Sequence, residues 1–151
     1  MLDPKTLKKN IISDMRVELS DEFDRNFQRK AFFTDRWKKR RNPNARGSLL
    51  VVTGTLRRSI QGSETTDGVR FTSNVPYATI HNEGGKGTVT VRQHQRKRKG
   101  KTHTVRQHMR TVKMPQRQFV GDGKETQRII QDVIDDNLQQ YNNELTKALR
   151  Q

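Results

Sequence analysis

The sequence predicts an α+β fold. Long N- and C-terminal helices pack on a small antiparallel sheet, and a basic β-hairpin arm projects from it. Three observations lead there. Apolar residues recur at helical spacing at both ends of the 151-residue chain. Short β-prone runs divided by turn residues fill the middle. Within that middle, Arg92 to Lys113 holds nine lysines and arginines and no acid. The length predicts one domain over 1–151, with residues 86–113 as an arm within it.

The first helix is predicted from Asp3, an N-cap residue followed by proline at the first helical position. Leu7, Ile11, Met15, Leu19, Phe23 and Phe27 then recur every fourth residue, and Ile12 widens the stripe. At the other end Ile130, Ile134, Leu138, Tyr141, Leu145 and Leu149 form a second stripe, with Ile129 and Val133 beside it. Asp122 and Glu125 suit its N-terminal dipole end, and Lys147 and Arg150 its C-terminal end. Two such stripes are expected to bury each other or a sheet, and in a lone subunit to leave leucine and phenylalanine exposed.

Between the helices, a basic linker around Trp37 is broken by Asn42-Pro43-Asn44 and Gly47. Leu49 to Val52 reads as a short β-prone run. Thr53 or Thr55 is the expected cap of a short helical turn whose Leu56 and Ile60 share a face. Asp67-Gly68 marks a hairpin turn, with Val69 and Phe71 alternating after it. Residues 75–85 read as a short helix with Pro76 near its start and Gly84-Gly85 at its stop. Next come two near-copies, TVTVRQHQR (88–96) and THTVRQHMR (102–110), identical at seven of nine positions. Their β-type alternation and the link KRKGK predict a two-stranded arm with a basic tip. Beyond it, Pro115 and Gly121 bracket Phe119 in a loop that carries this aromatic into the core.

Composition bounds the function. The apolar share is 29%, well under the roughly 45–50% of ordinary domains even after adding glycine. A thin core of this kind is expected to complete its burial in an assembly. There is no cysteine, hence no disulfide, thiolate metal site or cysteine nucleophile. No apolar run approaches the ~20 residues of a membrane span, and the first residues lack a signal-peptide core. A soluble protein without membrane contact is expected.

The charge is unevenly placed. Residues 1–35 hold seven basic and seven acidic side chains, residues 122–151 four and six, and residues 36–121 twenty and three. The middle therefore carries the whole excess of a chain whose net charge is +15. Such a region repels itself unless it extends into solvent or meets anions. The residues expected to contact a partner or phosphate are Arg92, Arg96, Lys97, Arg98, Lys99, Lys101, Arg106, Arg110 and Lys113.

Catalysis is not expected. His94, His103 and His108 lie among cations without carboxylate or thiol, which disfavours a metal. His81 and Glu83 face different directions on a short helix, and Ser59 lacks a nucleophile-elbow context. No nucleophile, base and oxyanion donor assemble, and no cofactor is implied. Nucleic acid competes more seriously. Yet all nine aromatics lie outside 84–113, whereas single-strand binders stack bases on such rings. Any nucleic-acid contact would run through phosphate, without sequence preference.

The motifs, taken in order, resemble the phage virion morphogenesis family, the tail completion proteins of Mu-like phages. After a long first helix come Trp37; Thr53, Gly54, Leu56 and Ser59 of a TG-x-L-x-x-S turn; Tyr77, Ala78, Ile80, His81, Gly84 and Gly85 of YA-x-IH-x-x-GG; and Pro115, Arg117, Phe119 and Gly121 of P-x-R-x-F-x-G. The loop after Trp37 is more basic than the family's usual form. The resemblance implies a structural, non-catalytic virion protein, made in the host bacterial cytoplasm and located at the neck or tail end. It implies a homo-oligomeric ring, often hexameric in related components. Implied partners are connector, tail-tube or terminator proteins, with DNA in the channel as the other candidate. The arm is then expected to meet acidic faces of neighbouring subunits or to meet phosphate. The former is preferred, because a lining that gripped many phosphates would hinder DNA passage.

Overall fold

The computed structural model describes residues 3–150. Helix α1 (Pro4–Arg29) starts as its sequence dictates, with the Asp3 carboxylate accepting from Lys5 N–H at 3.1 Å. It ends without glycine: Lys30 takes a left-handed conformation, φ 57°. A tight hairpin of β1 (Ala31–Phe32) and β2 (Asp35–Arg36) follows. This turn was not anticipated. It tucks Ala31 and Phe32 into the core and leads into buried Trp37.

Leu49 to Val52 does not form a strand. Leu50 has φ 57°, and the segment makes one isolated bridge between Ser48 and Val51. Leu49, Leu50 and Val51 reach the core from a loop instead, and Val52 stays exposed. The N-cap position of helix α2 (Thr55–Ser59) is Gly54 at φ 75°, with no side-chain cap; the Thr53 hydroxyl bonds the Thr55 hydroxyl at 2.8 Å and accepts Thr55 N–H at 3.4 Å. Strands β3 (Gln61–Glu64) and β4 (Val69–Thr72) form the expected hairpin, Thr65 N–H closing on Gly68 C=O at 2.8 Å. Val69 and Phe71 point inward. Helix α3 (Ala78–Glu83) stops at Gly84.

Strands β5 (Gly85–Val91) and β8 (His108–Met114) pair antiparallel, as do β6 (His94–Arg98) and β7 (Lys101–Val105). Together they make the arm. The last helix, α4 (Lys124–Leu149), returns antiparallel along α1, where Asn137 Nδ2 donates to Asp14 Oδ2 at 2.8 Å. Four separate two-stranded ladders thus replace one continuous sheet.

The core has two aromatic clusters on α1. Phe27 meets Trp37 edge-on at 5.7 Å and Phe119 at 5.0 Å, with Leu56 and Ala78 around them. Phe23 meets Phe71 edge-on at 4.9 Å beside Leu19 and Phe32. Val120 touches both clusters. Aromatic pairs of this geometry add about 0.5–1.5 kcal/mol each beyond area burial, which matters in a core so thin. All phenylalanines are covered, but Leu138, Leu145 and Leu149 on α4 stay exposed, the last at 79%.

Candidate interaction surface: the basic arm and the cleft at its root

The motif residues at scattered sequence positions converge at the root of the arm. The segment from Pro115 to Gly121 runs as a strap across α3 and α1. Arg117 N–H donates to His81 C=O at 2.9 Å. Asn82 Oδ1 accepts from both Phe119 N–H and Val120 N–H, at 2.9 and 3.1 Å. The strap lies so close to the end of α3 that a Cβ on Gly84 would fall 2.7 Å from Gln116 N. That approach and φ 72° both require glycine. Trp37 Nε1 donates to Gln118 C=O at 2.6 Å from the other side.

Arg117 is buried, and its guanidinium donates to Lys38 C=O at 2.9 Å and Lys39 C=O at 3.4 Å. The basic loop after Trp37 is thereby held by its backbone; Lys38, Lys39 and Arg41 stay exposed, while the Arg40 guanidinium folds back to donate to the carbonyls of Ala45, Arg46 and Gly47. Burial, and then the neighbouring Arg40, push the Arg117 pKa down. Burial likewise lowers the pKa of His81, with Arg117 adding to it. His81 Nδ1 is buried without a hydrogen-bond partner. The Ser59 hydroxyl bonds Ser73 at 2.7 Å and caps Leu56 C=O, so it ties α2 to the chain beyond β4.

Thr53, Gly54, Leu56, Tyr77, His81 and Arg117 line one open cleft of about 470 Å³. Met114, the last residue of β8, completes its rim. The cleft wall is mostly apolar and holds two arginines and no carboxylate. It pairs no nucleophile with a base. What it offers is apolar contact area beside two guanidinium groups.

The arm itself is built by its repeat. Val91 pairs with His108, and His94 pairs with Val105. The two VRQH tetrapeptides therefore face each other about a local two-fold. Between them the ladder lapses at Arg92-Gln93 and Arg106-Gln107. Each histidine ring closes on the carbonyl two residues back, His94 on Arg92 and His108 on Arg106, both at 2.9 Å. At the tip Lys99 and Gly100 have φ 51° and 76°, the two positive values of a type I′ turn.

Register then sorts the charges. Directly opposed residues share a face, so Arg96 with His103, and Arg98 with Lys101, lie on one side of the distal segment. Lys97 lies opposite Thr102 on the other side, and Lys99 sits at the tip. Nearer the root, Arg110 opposes Val89 and Lys113 opposes Lys86. Arg92 and Arg106 occupy the lapse. The nine predicted contact residues are thus all on the arm but not on one face. Residues 92–104 are all exposed. None of the seven ion pairs among the described residues involves the arm. Two like-charge pairs, Arg98 with Lys101 and Lys86 with Lys113, stand directly opposed, which destabilises an isolated hairpin.

The profile of the phage virion morphogenesis family matches residues 7–139, most of the chain and the whole of the arm. The chain belongs to this family. No curated protein and no solved structure matches it significantly. Family membership makes this a protein of phage particle construction and implies contact with other virion proteins. No helix among the described residues is long and apolar enough to cross a membrane.

Proposed function

We propose that this chain is a structural subunit of tail completion or head–tail joining, working as a ring-forming protein whose basic arm docks on neighbouring subunits. The observation that carries this reading is the arm: an exposed hairpin with ten basic residues and no acidic ion-pair partner among the described residues. A hairpin with neither core nor counter-charge gains its order from a partner. The leucines exposed on α4 supply a second surface for association. The family's role in particle construction supports virion proteins as partners, which in this proposal are other copies, connector, tail-tube or terminator proteins. The motif residues Thr53, Gly54, Tyr77, His81 and Arg117 then act by fixing the root from which the arm leaves.

The test is complementation of a phage lacking this protein by a full-length variant in which Arg96, Lys97, Arg98, Lys99 and Lys101 are alanine. The variant is expected to fold and to fail in particle assembly. Micrographs of the failed lysates assign the step: tailless heads beside free tails mark joining, and abnormal tail lengths mark termination. Normal infectious particles from a variant that has lost only DNA binding would overturn the reading in favour of a nucleic-acid role.

A further inference from the structure

A second open groove runs along the seam of α1 and α4, with a volume of about 370 Å³. Its floor is apolar, formed by Val17, Ile129 and Val133, and Val17 is 52% exposed. Its rims carry Asp14 and Glu18 from α1 and Asp132 and Asp136 from α4, and no cation lines it. None of these four carboxylates takes part in an ion pair among the described residues. Nor do three His, Asp or Glu side chains converge as metal ligands anywhere among the described residues. The negative charge is spread along two rows.

Those rows have a definite spacing. Each is an i,i+4 pair on a helix, about 6 Å apart, and packed helices lie roughly 8–10 Å from each other. The cationic face of the distal arm has a comparable pattern. Arg96 and Arg98 alternate along β6, about 7 Å apart, and Lys101 and His103 lie alongside on β7, about 5 Å across. Long arginine and lysine side chains span the remaining difference.

We propose that the α1–α4 groove receives the cationic face of the distal arm from a second copy of this chain. Arg96 and Arg98 would follow one acidic row, and Lys101 and His103 the other. This contact relieves the opposed Arg98–Lys101 charges and covers exposed Val17. It joins unlike surfaces of the two copies, so repetition propagates head to tail and closes only as a ring. The inference rests on the reading above that the arm docks on protein, and it names the surface.

Two full-length variants test it, Asp132→Lys/Asp136→Lys in the groove and Arg96→Glu/Arg98→Glu in the arm. All four positions are exposed, and far-UV circular dichroism checks that both variants fold. Sedimentation velocity at low salt is expected to show self-association weakened roughly tenfold or more in each variant alone. A one-to-one mixture is expected to recover association, since each supplies the surface the other lacks. A groove variant that associates like wild type, or a wild-type chain that stays monomeric, would overturn the inference. If that groove result comes with an arm variant that no longer binds other virion proteins, the proposed function stands and only the groove assignment fails. An arm variant that still builds infectious particles sinks both.

Discussion

Phe119 and Arg98 mark two extremes of this chain. Phe119 is 2% exposed, and its backbone is held at both ends by side-chain amides, Nδ2 of buried Asn26 on its carbonyl and Oδ1 of half-buried Asn82 on its N–H. Arg98 stands on an exposed strand with a like charge directly opposite. The body is stabilised by side chains that satisfy irregular backbone from far away in sequence. The arm is stabilised almost wholly by its own ladder and turn. Damage to the body should therefore be global, and damage to the arm local in stability but severe in association.

The largest expected effect is in the body. Phe119→Ala should cost about 3–5 kcal/mol, read by urea denaturation, because both strap and Trp37 lose their shared neighbour. A loss under 1 kcal/mol would mean that the strap is not the keystone of the root. Asn26→Ala should come next, at about 1–3 kcal/mol. Asn26 Oδ1 accepts Phe33 N–H at 2.9 Å and its Nδ2 donates to Phe119 C=O at 3.1 Å, so alanine orphans a half-buried donor and a buried acceptor.

A smaller effect is set by pH. Burial lowers the His81 pKa from its ordinary 6.5, and Arg117 reinforces this. A histidine lowered in the folded state takes up its proton more readily when unfolded. Its neutral form is compatible with the fold above about pH 6.5, and stability falls as pH drops below that value. Melting temperatures measured from pH 7.5 to 5.5 should decline for wild type and decline less for His81→Gln. The smallest effect on stability should come from the largest excision. Replacing Arg92–Gln107 by Asn-Gly joins Val91 to His108, which are already cross-strand partners, through a favoured hairpin turn. Denaturation should shift by only about 0.5 kcal/mol, while self-association measured by sedimentation is lost. A large loss of stability would break the contrast, showing the distal arm to be part of the folding unit.

Local chemistry made parts of this molecule legible in sequence. Asp3-Pro4, the Asp67-Gly68 turn, Gly84 and the basic tip are each decided within a few residues, and each is found where it was expected. The VRQH echo revealed the hairpin because both strands carry it. Other features depend on partners remote in sequence. Asn26 looks like an ordinary helical asparagine until Phe119, ninety-three positions away, supplies its acceptor. Lys30 ends α1 without a glycine because Phe32 must turn into the core. Leu49 to Val52 has strand composition, but its neighbours use it as a loop that feeds the core. The sorting of arm charges needed the register. The acidic groove needed the antiparallel placement of α1 against α4, since its rims come from opposite ends of the chain.

The lapse at the paired VRQH tetrapeptides has a mechanical meaning. Ladder hydrogen bonds stiffen a hairpin, and here they fail at one level on both strands at once. The arm is two paired ladders joined at an unpaired wrist. In the docking proposed above, bending there would break no ladder bond of the fingertip or the shoulder, and one chain would adjust its reach to a neighbour's distance without repacking anything.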